Sequence, residues 1–445
     1  MAKRGGKPKD GVASHFNFIR SEIALFDEPP TDVTIKNSYF SEYFPVNSVS
    51  DRSTPIQFYI QGTNQLYIDL REVRIYLRAK MVKADGTDLA ATDLVAPVNN
   101  LLHSLFQQCT VSLNETNITP PTTYYGYRAY IETLLAYSRE YKKSISQAAM
   151  YYREKNVLNT SVTVEDGYKS RHNLCKNSWS FELYGRPHSD IFMQNRYLIP
   201  GIDMRVTFER APDDFCIFAP AGTAGKFKIE IEEVALHVRK HAILPSLMID
   251  QYKIWESGRP MVYPIRKVDI KSFSIPTGSM QIVNENLITG HLPNRIILCL
   301  INSQNLHGTQ TTNPFVFRDH NLVYINVSVD GDQINTRPYE LDFSEEHPRF
   351  LRAYHNIFEA LGYSDCDVGL DMTTEEFKNG KQLYLYQLSN LTEAFTTPKY
   401  GCVKIELKFN PATAAPLVVL CYAEYESTLY IDSQKSVYFK DYSDN

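Results

Sequence analysis

Between Leu66 and Val82 the chain reads LYIDLREVRIYLRAKMV, in which Val73, Ile75, Leu77 and Ala79 alternate with Glu72, Arg74, Tyr76, Arg78 and Lys80. A period of two is the period of a strand, with one face on a core and the other in water. A helix would scatter those four apolar side chains around its axis. Comparable runs, rich in β-branched and aromatic residues, are IQFYI (56–60), WSFELY (179–184), IDMRVTFE (202–209) and KFKIEIEEVALHVRK (226–240). A second series follows with VDIKSFSI (268–275), RIILCLIN (295–302), LVYINVSV (322–329), KQLYLYQL (381–388), VKIELKF (403–409) and PLVVLCYAEYE (416–426). Turn residues separate the runs. Strands at this density, with few helices, predict an all-β chain of antiparallel sandwiches.

Two stretches break the pattern, and they resemble each other. YGYRAYIETLLAYS ends at residue 138 and FLRAYHNIFEALGYS at residue 364. Tyr127, Ile131, Leu134, Leu135 and Ser138 fall at helical spacing in the first, and Phe350, Tyr354, Ile357, Phe358 and Leu361 in the second. Each predicts a short helix inserted among strands. Ile131 and Leu134 in one, and Tyr354, Ile357, Phe358 and Leu361 in the other, are expected to face a core.

The match extends on both sides. VSLNETNIT (111–119) aligns with VSVDGDQIN (327–335) at an offset of 327 − 111 = 216, and both read as strand, turn, strand. Asp330-Gly331 is a strong hairpin signal, and Asn114-Glu115 a weaker one. Arg128 and Arg352 follow at an offset of 224, then Gly201 and Gly401 at 200. Hairpin, helix and strand thus repeat in order, which predicts an internal duplication. The competing reading is two unrelated β domains that each carry a helix.

At 445 residues the chain exceeds one ordinary core, and 43% hydrophobic with 22% charged residues is globular composition. A formal charge of −5 argues against wrapping nucleic acid over the whole surface. Residues 1–30 carry Gly, Pro and charge with little periodicity and read as a flexible basic arm, with Lys3, Arg4, Lys7 and Lys9 near its start. Four cations give only a small counterion-release term, so the arm cannot condense a genome alone. The seven cysteines, among them Cys109, Cys366 and Cys402, show no C-x-x-C spacing and are expected to be buried, reduced thiols. Thirty Tyr against two Trp suits a protein with many interfaces.

The stretches FYIQGTNQLYIDLREVRIYLRAKMVKADG, VAPVNNLLHSLFQQCTVSLN and YGYRAYIETLLAYS are similar to segments of one known family. From about residue 35 to 430 the chain resembles the double jelly-roll major capsid proteins of Polinton/Maverick and adintovirus-like DNA elements. The resemblance implies two tandem eight-stranded antiparallel jelly-roll sandwiches, each with a short inserted helix. It assigns 31–242 to the first jelly roll, 243–262 to a linker, 263–430 to the second and 431–445 to a C-terminal tail. It also implies a homotrimer of near-hexagonal outline tiling an icosahedral shell around DNA. The chain would be made in host cytoplasm and reside in the virion, with assembly in the nucleus as one expectation. Expected partners are other copies, penton or minor capsid proteins, and packaged DNA touched weakly through Lys3, Arg4, Lys7 and Lys9. No cofactor and no enzymatic activity are implied.

Signatures of chemistry are sparse. His237 and His241 would share a face on a helix, but they continue a strand, where residues four apart lie about 13 Å from one another. DGDQIN (330–335) reads as a hairpin rather than a calcium loop. No phosphate-binding Gly-rich loop and no G-x-S-x-G occurs. A carbohydrate-binding or hydrolytic tandem β-sandwich is the alternative function, and it predicts an aromatic groove with paired carboxylates. A minor vertex protein of the same kind of shell is disfavoured by the duplicated half.

Overall fold

The computed structural model describes residues 34–439 apart from 50–51, 64, 224, 365, 367–368 and 390–398. Lys3, Arg4, Lys7 and Lys9 lie outside the described residues.

Among the described residues, eight strands build the two main sheets of the N-terminal half: β1 (Ile35–Tyr43), β2 (Ile56–Ile60), β3 (Tyr67–Lys83), β4 (Phe106–Leu113), β5 (Thr116–Asn117), β6 (Phe181–Gly185), β7 (Met204–Arg210) and β8 (Phe227–Ile243), while Ala96–Pro97 pairs with Ile217–Phe218 apart from them. Eight strands likewise form the main path of the C-terminal sheets, β9 (Met261–Ile275), β10 (Gln281–His291), β11 (Arg295–Asn302), β12 (Leu322–Val329), β13 (Asp332–Gln333), β14 (Tyr384–Gln387), β15 (Tyr400–Phe409) and β16 (Leu417–Ile431), and the short strands Tyr339–Glu340 and Val437–Phe439 add to β12 and β16 off that path. In the first half the sheets run β1-β8-β3-β6 and β2-β7-β4-β5, and in the second β9-β16-β11-β14 and β10-β15-β12-β13. Adding eight to each strand number of the first half reproduces the second. All these pairings are antiparallel. The chain is therefore two tandem eight-stranded jelly rolls of one topology.

The alternation read in β3 does what it predicts. Val73, Ile75, Leu77, Ala79 and Met81 are buried, while Arg78 lies in the exposed row. Each large apolar side chain taken from water contributes about 1.5–3 kcal/mol. The two hairpin turns also correspond. Asn114 and Glu115 have φ of 44° and 68°, and Asp330 and Gly331 have 51° and 95°, the positive pair that a tight two-residue turn requires. The Asn114 N–H donates to Asp203 O at 3.0 Å, and the Asp203 N–H donates back to the Asn114 side chain at 2.9 Å. The Cys402 N–H donates to the Asp330 side chain at 2.8 Å, and the Asp330 N–H to Cys402 O. Leu113 faces Met204 and Val329 faces Val403, so the third matched feature sits at an offset of 403 − 204 = 199, one residue from the Gly201–Gly401 alignment.

Among the described residues, four helices exceed five residues: α1 (Tyr125–Ala136), α2 (Gly167–Cys175), α3 (Pro245–Glu256) and α4 (Leu351–Leu361). α1 and α4 occupy the same topological slot, between β5 and β6 and between β13 and β14. Their packing differs. α1 lies on β4 and is buried almost all round, whereas α4 lies on β14 and buries only Ala353, Ile357 and Ala360. Ser138, expected in the first helix, lies beyond it and N-caps the turn Arg139–Lys143.

The stretch read as the linker, 243–262, contains α3. Pro245 sits at its start, where a missing N–H costs nothing. Trp255, near its end, is buried and its indole N–H donates to Ile431 O at 3.1 Å, tying the connection to the last strand of the second barrel. Val437–Phe439 adds a short strand to β16. Among the described residues no helix is long and apolar enough to cross a membrane.

Candidate functional site

Ionisable side chains converge at the seam between the barrels, and α1 brings them there. Arg128 and Glu132 are one turn apart on α1, so their side chains meet at 2.8 Å. Arg128 also bonds Asp190 at 2.6 Å, and Glu132 bonds His188 Nδ1 at 2.5 Å. The second barrel completes the cluster. The Tyr422 hydroxyl donates to Glu132 at 3.2 Å and the Val268 N–H to Asp190 at 3.2 Å. Burial opposes ionisation of Glu132, yet Arg128 and His188 hold it down to about 2. Burial dominates at Asp190 and raises its pKa despite Arg128. Burial, helped by His188, also keeps the His103 pKa well below the usual imidazole range.

A second ionic group lies along the same seam. Arg153 of the first half bonds Glu376 at 2.9 Å and Asp371 at 3.0 Å, and Lys381 bonds Glu376 at 3.3 Å. Close by, Lys142 is buried and donates to Leu134 O at 2.7 Å. Burial drives its pKa down to about 7, against the opposing pull of Asp371.

Between the ionic groups the seam is aromatic. The segment joining β11 to β12 leaves its own barrel and carries Phe315 and Phe317 to Tyr130 and Tyr127. Phe215 closes over Phe315, with ring centroids 5.8 Å apart. Along that segment, Gln310 O accepts from Ala219 N and its side chain holds both backbone groups of Phe227, while the Asn313 amide donates to Val157 O at 2.7 Å. Gly308 has φ +79°, and a Cβ there would stand 2.5 Å from Phe215 Cα, so no other residue fits.

The expected helix residues take up these places. Ile131 and Leu134 are fully buried in α1, and Ile357 is fully buried in α4. Tyr354, Phe358 and Leu361 are half-buried against the core, with the Tyr354 hydroxyl donating to Met372 O. The buried polar residues around α1 escaped the sequence reading, although Arg128 and Glu132 at i and i+4 in an otherwise apolar helix were the available signal.

His237 and His241 both lie on β8, and each meets strand neighbours. His237 approaches Glu42 at 3.2 Å, and His241 approaches Ser38 at 2.6 Å and Asp69 at 3.4 Å. Among the described residues no group of three or more His, Cys, Asp or Glu is arranged to hold a metal. The buried carboxylates Glu154, Asp190, Asp371 and Glu376, and the partly buried Glu132, are each tied to a cation. All seven cysteines are free thiols. Five are buried, but Cys366 is exposed and Cys402 half-buried, a departure from the expectation that all are enclosed.

The outer surface carries apolar side chains without cover. On the edge strand β1 and just past it, Tyr39, Phe40, Phe44 and Val46 are exposed, Val46 to 65%. Arg239 lies over Phe40 and Lys240 over Tyr43. Met280 and Val283 on the second barrel are exposed as well.

No protein-family model matches the chain. It is similar to an uncharacterised protein of Caenorhabditis elegans, 23% identical over 426 residues, covering 92% of this chain and 98% of that protein. Among solved structures it is similar to a chain of the Sputnik virophage, with a TM-score of 0.63 and 12% identity over 99% of this chain and 95% of that one. The Faustovirus major capsid protein aligns with a TM-score of 0.55 and 9% identity over 92% of each chain. The mavirus major capsid protein aligns with a TM-score of 0.51 and 11% identity over 99% of this chain and 96% of that one. At such identities the likeness is one of fold, and the fold shared across the whole length is the double jelly roll.

Proposed function

We propose that this chain is the major capsid protein of a Polinton/Maverick- or adintovirus-like DNA element. Three copies form a capsomer of six jelly rolls, and capsomers tile an icosahedral shell around a DNA genome. The observation that carries the reading is the seam. Two barrels of one topology are fused by buried ions and aromatics, so a trimer presents six similar corners in fixed orientation. The whole-length likeness in fold to the mavirus and Faustovirus major capsid proteins supports it. Residues 31–242 and 263–430 serve as the two barrels, 243–262 as the connection, and 431–445 as a tail.

Penton or minor capsid proteins complete the shell at its vertices. Lys3, Arg4, Lys7 and Lys9 touch DNA weakly or reach a neighbouring capsomer. Each contact between capsomers is modest and the shell is secured by their number. The chain acts in the virion as a structural protein and catalyses nothing.

Size-exclusion chromatography with light scattering, followed by electron microscopy, tests this reading. Trimers that convert to particles are the expected result. A monomer at high concentration that forms neither trimers nor particles in any salt overturns it. Removing residues 1–25 is expected to leave trimers intact and lower particle yield.

A further inference from the structure

A groove of about 620 Å³ opens beside α3, at the place where the described chain begins. Thr34 and Ile35 form part of its wall, Trp255 its floor, and Leu247, Gln251 and Ile254 one side. The last three recur at i, i+4 and i+7, so they make a single stripe along α3. Ile254 is 52% exposed, although Trp255 beside it is buried. On the groove side of α3, Leu247 and Ile254 thus flank Gln251, whose side chain accepts from the Tyr67 hydroxyl at 2.6 Å. Arg196 and Arg259 also line the groove. The volume falls in the ~300–1,000 Å³ range of clefts that hold a bound group.

The chain itself supplies a matching occupant. Residues 1–30 have little periodicity as a whole, but within them Phe16, Ile19, Ile23 and Phe26 are spaced three, four and three apart, the spacing of one helix face. Asp27 and Glu28 follow directly, then Pro29 and Pro30. From Phe26 to Thr34 is 34 − 26 = 8 residues, a reach of at most about 26–29 Å. That suffices to turn back onto α3.

We propose that residues 16–28 dock in this groove of their own chain. The Phe16, Ile19, Ile23 and Phe26 side chains cover Leu247 and Ile254, and Asp27 and Glu28 lie toward Arg196 and Arg259. A tether this short gives the segment an effective concentration in the millimolar range, which favours it over the same segment of another copy. Docking would also hold the basic residues Lys3 to Lys9 near the junction of the barrels. The inference is independent of the capsid reading, since it concerns the isolated chain.

The test uses the full-length protein. A photoreactive benzoylphenylalanine at position 19 is expected to cross-link to 244–259 within one chain, seen as a product of monomer mass. Hydrogen exchange of residues 16–26 is expected to be slowed at least about tenfold and to lose that protection in Ile254→Asp. Phe16→Asp with Ile23→Asp lies outside the described body and should remove the same protection, so the test survives even if Ile254→Asp fails to fold. Arg259→Glu should weaken protection, and Asp27→Lys with Glu28→Lys in that background should restore it. Cross-links between two chains, cross-links elsewhere, or exchange at the unprotected rate would each overturn the proposal.

Discussion

Tyr130 of the first barrel stacks on Phe315 of the second, with ring centroids 4.2 Å apart and planes 14° from parallel. Both side chains are fully buried. An offset aromatic stack adds roughly 0.5–1.5 kcal/mol to the burial of its rings. Phe315→Ala would leave a cavity facing both barrels and should cost about 3–5 kcal/mol. Hydrogen exchange is then expected to speed up in β3 and in β11 alike. Acceleration confined to β11 would show that the seam does not couple the halves.

Glu132 supplies an acid-side signature. Its folded pKa of about 2 lies below the ordinary 4.5, so its stabilisation is fully present above about pH 4.5 and is lost as pH falls through 2. The shift of 4.5 − 2 = 2.5 corresponds to about 3 kcal/mol. Denaturant titrations of wild type and Glu132→Gln should differ by about that amount at pH 5 and converge toward pH 2. A constant difference across the range would contradict the ionic role of the cluster.

Lys142 is shifted against its charged form, so its burial costs stability where Glu132 adds it. Its folded pKa, about 7, lies below the ordinary 10.5, so the unfolded chain holds the extra proton between those values. Stability therefore rises with pH across that window. Lys142→Met removes the buried charge but leaves Leu134 O without its donor. The variant should gain on wild type by a few kcal/mol more at pH 7 than at pH 10. Equal pH slopes in urea unfolding would mean that water reaches the ammonium group.

Charges placed on the two inserted helices should act unequally. Leu134 is wholly buried on α1, so Leu134→Asp is expected to cost several kcal/mol and abolish soluble protein. Phe358 is half-buried at one face of α4, and Phe358→Asp should cost less and disturb the second barrel first. Soluble yield and thermal melts of both variants measure this. Native-like Leu134→Asp protein would show that α1 is not enclosed.

Periodicity revealed strands where one face meets a core, as in β3 and β15, while β11 was legible as a continuous apolar run because both of its faces are buried. Periodicity failed at β1 and β10, whose residues IKNSYFSEY and QIVNENLITGH are mostly exposed or half-exposed and so carry no alternation. α3 was missed because Leu247 and Ile254 flank the polar Gln251 on its groove side, which blurs a single apolar stripe. The duplication was legible because the hairpin, helix and strand survive in order, and strand topology agrees with it. The seam was not legible in the same way. Phe315 and Tyr130 are separated by 185 residues (315 − 130), and their stack depends on a loop leaving its own barrel. Nothing local in NPFVF announces that.

The excursion of 303–317 has a consequence during synthesis. When Ile243 completes the first barrel, 317 − 243 = 74 residues must still be polymerised before Phe317 exists. At about 5–20 residues per second that is roughly 4–15 s. Throughout that interval the rings of Tyr127, Tyr130 and Phe215 lack their cover on the nascent chain. A freshly made N-terminal barrel is thus a sticky intermediate, and ribosome-bound chains halted before residue 303 should be the ones that chaperones hold.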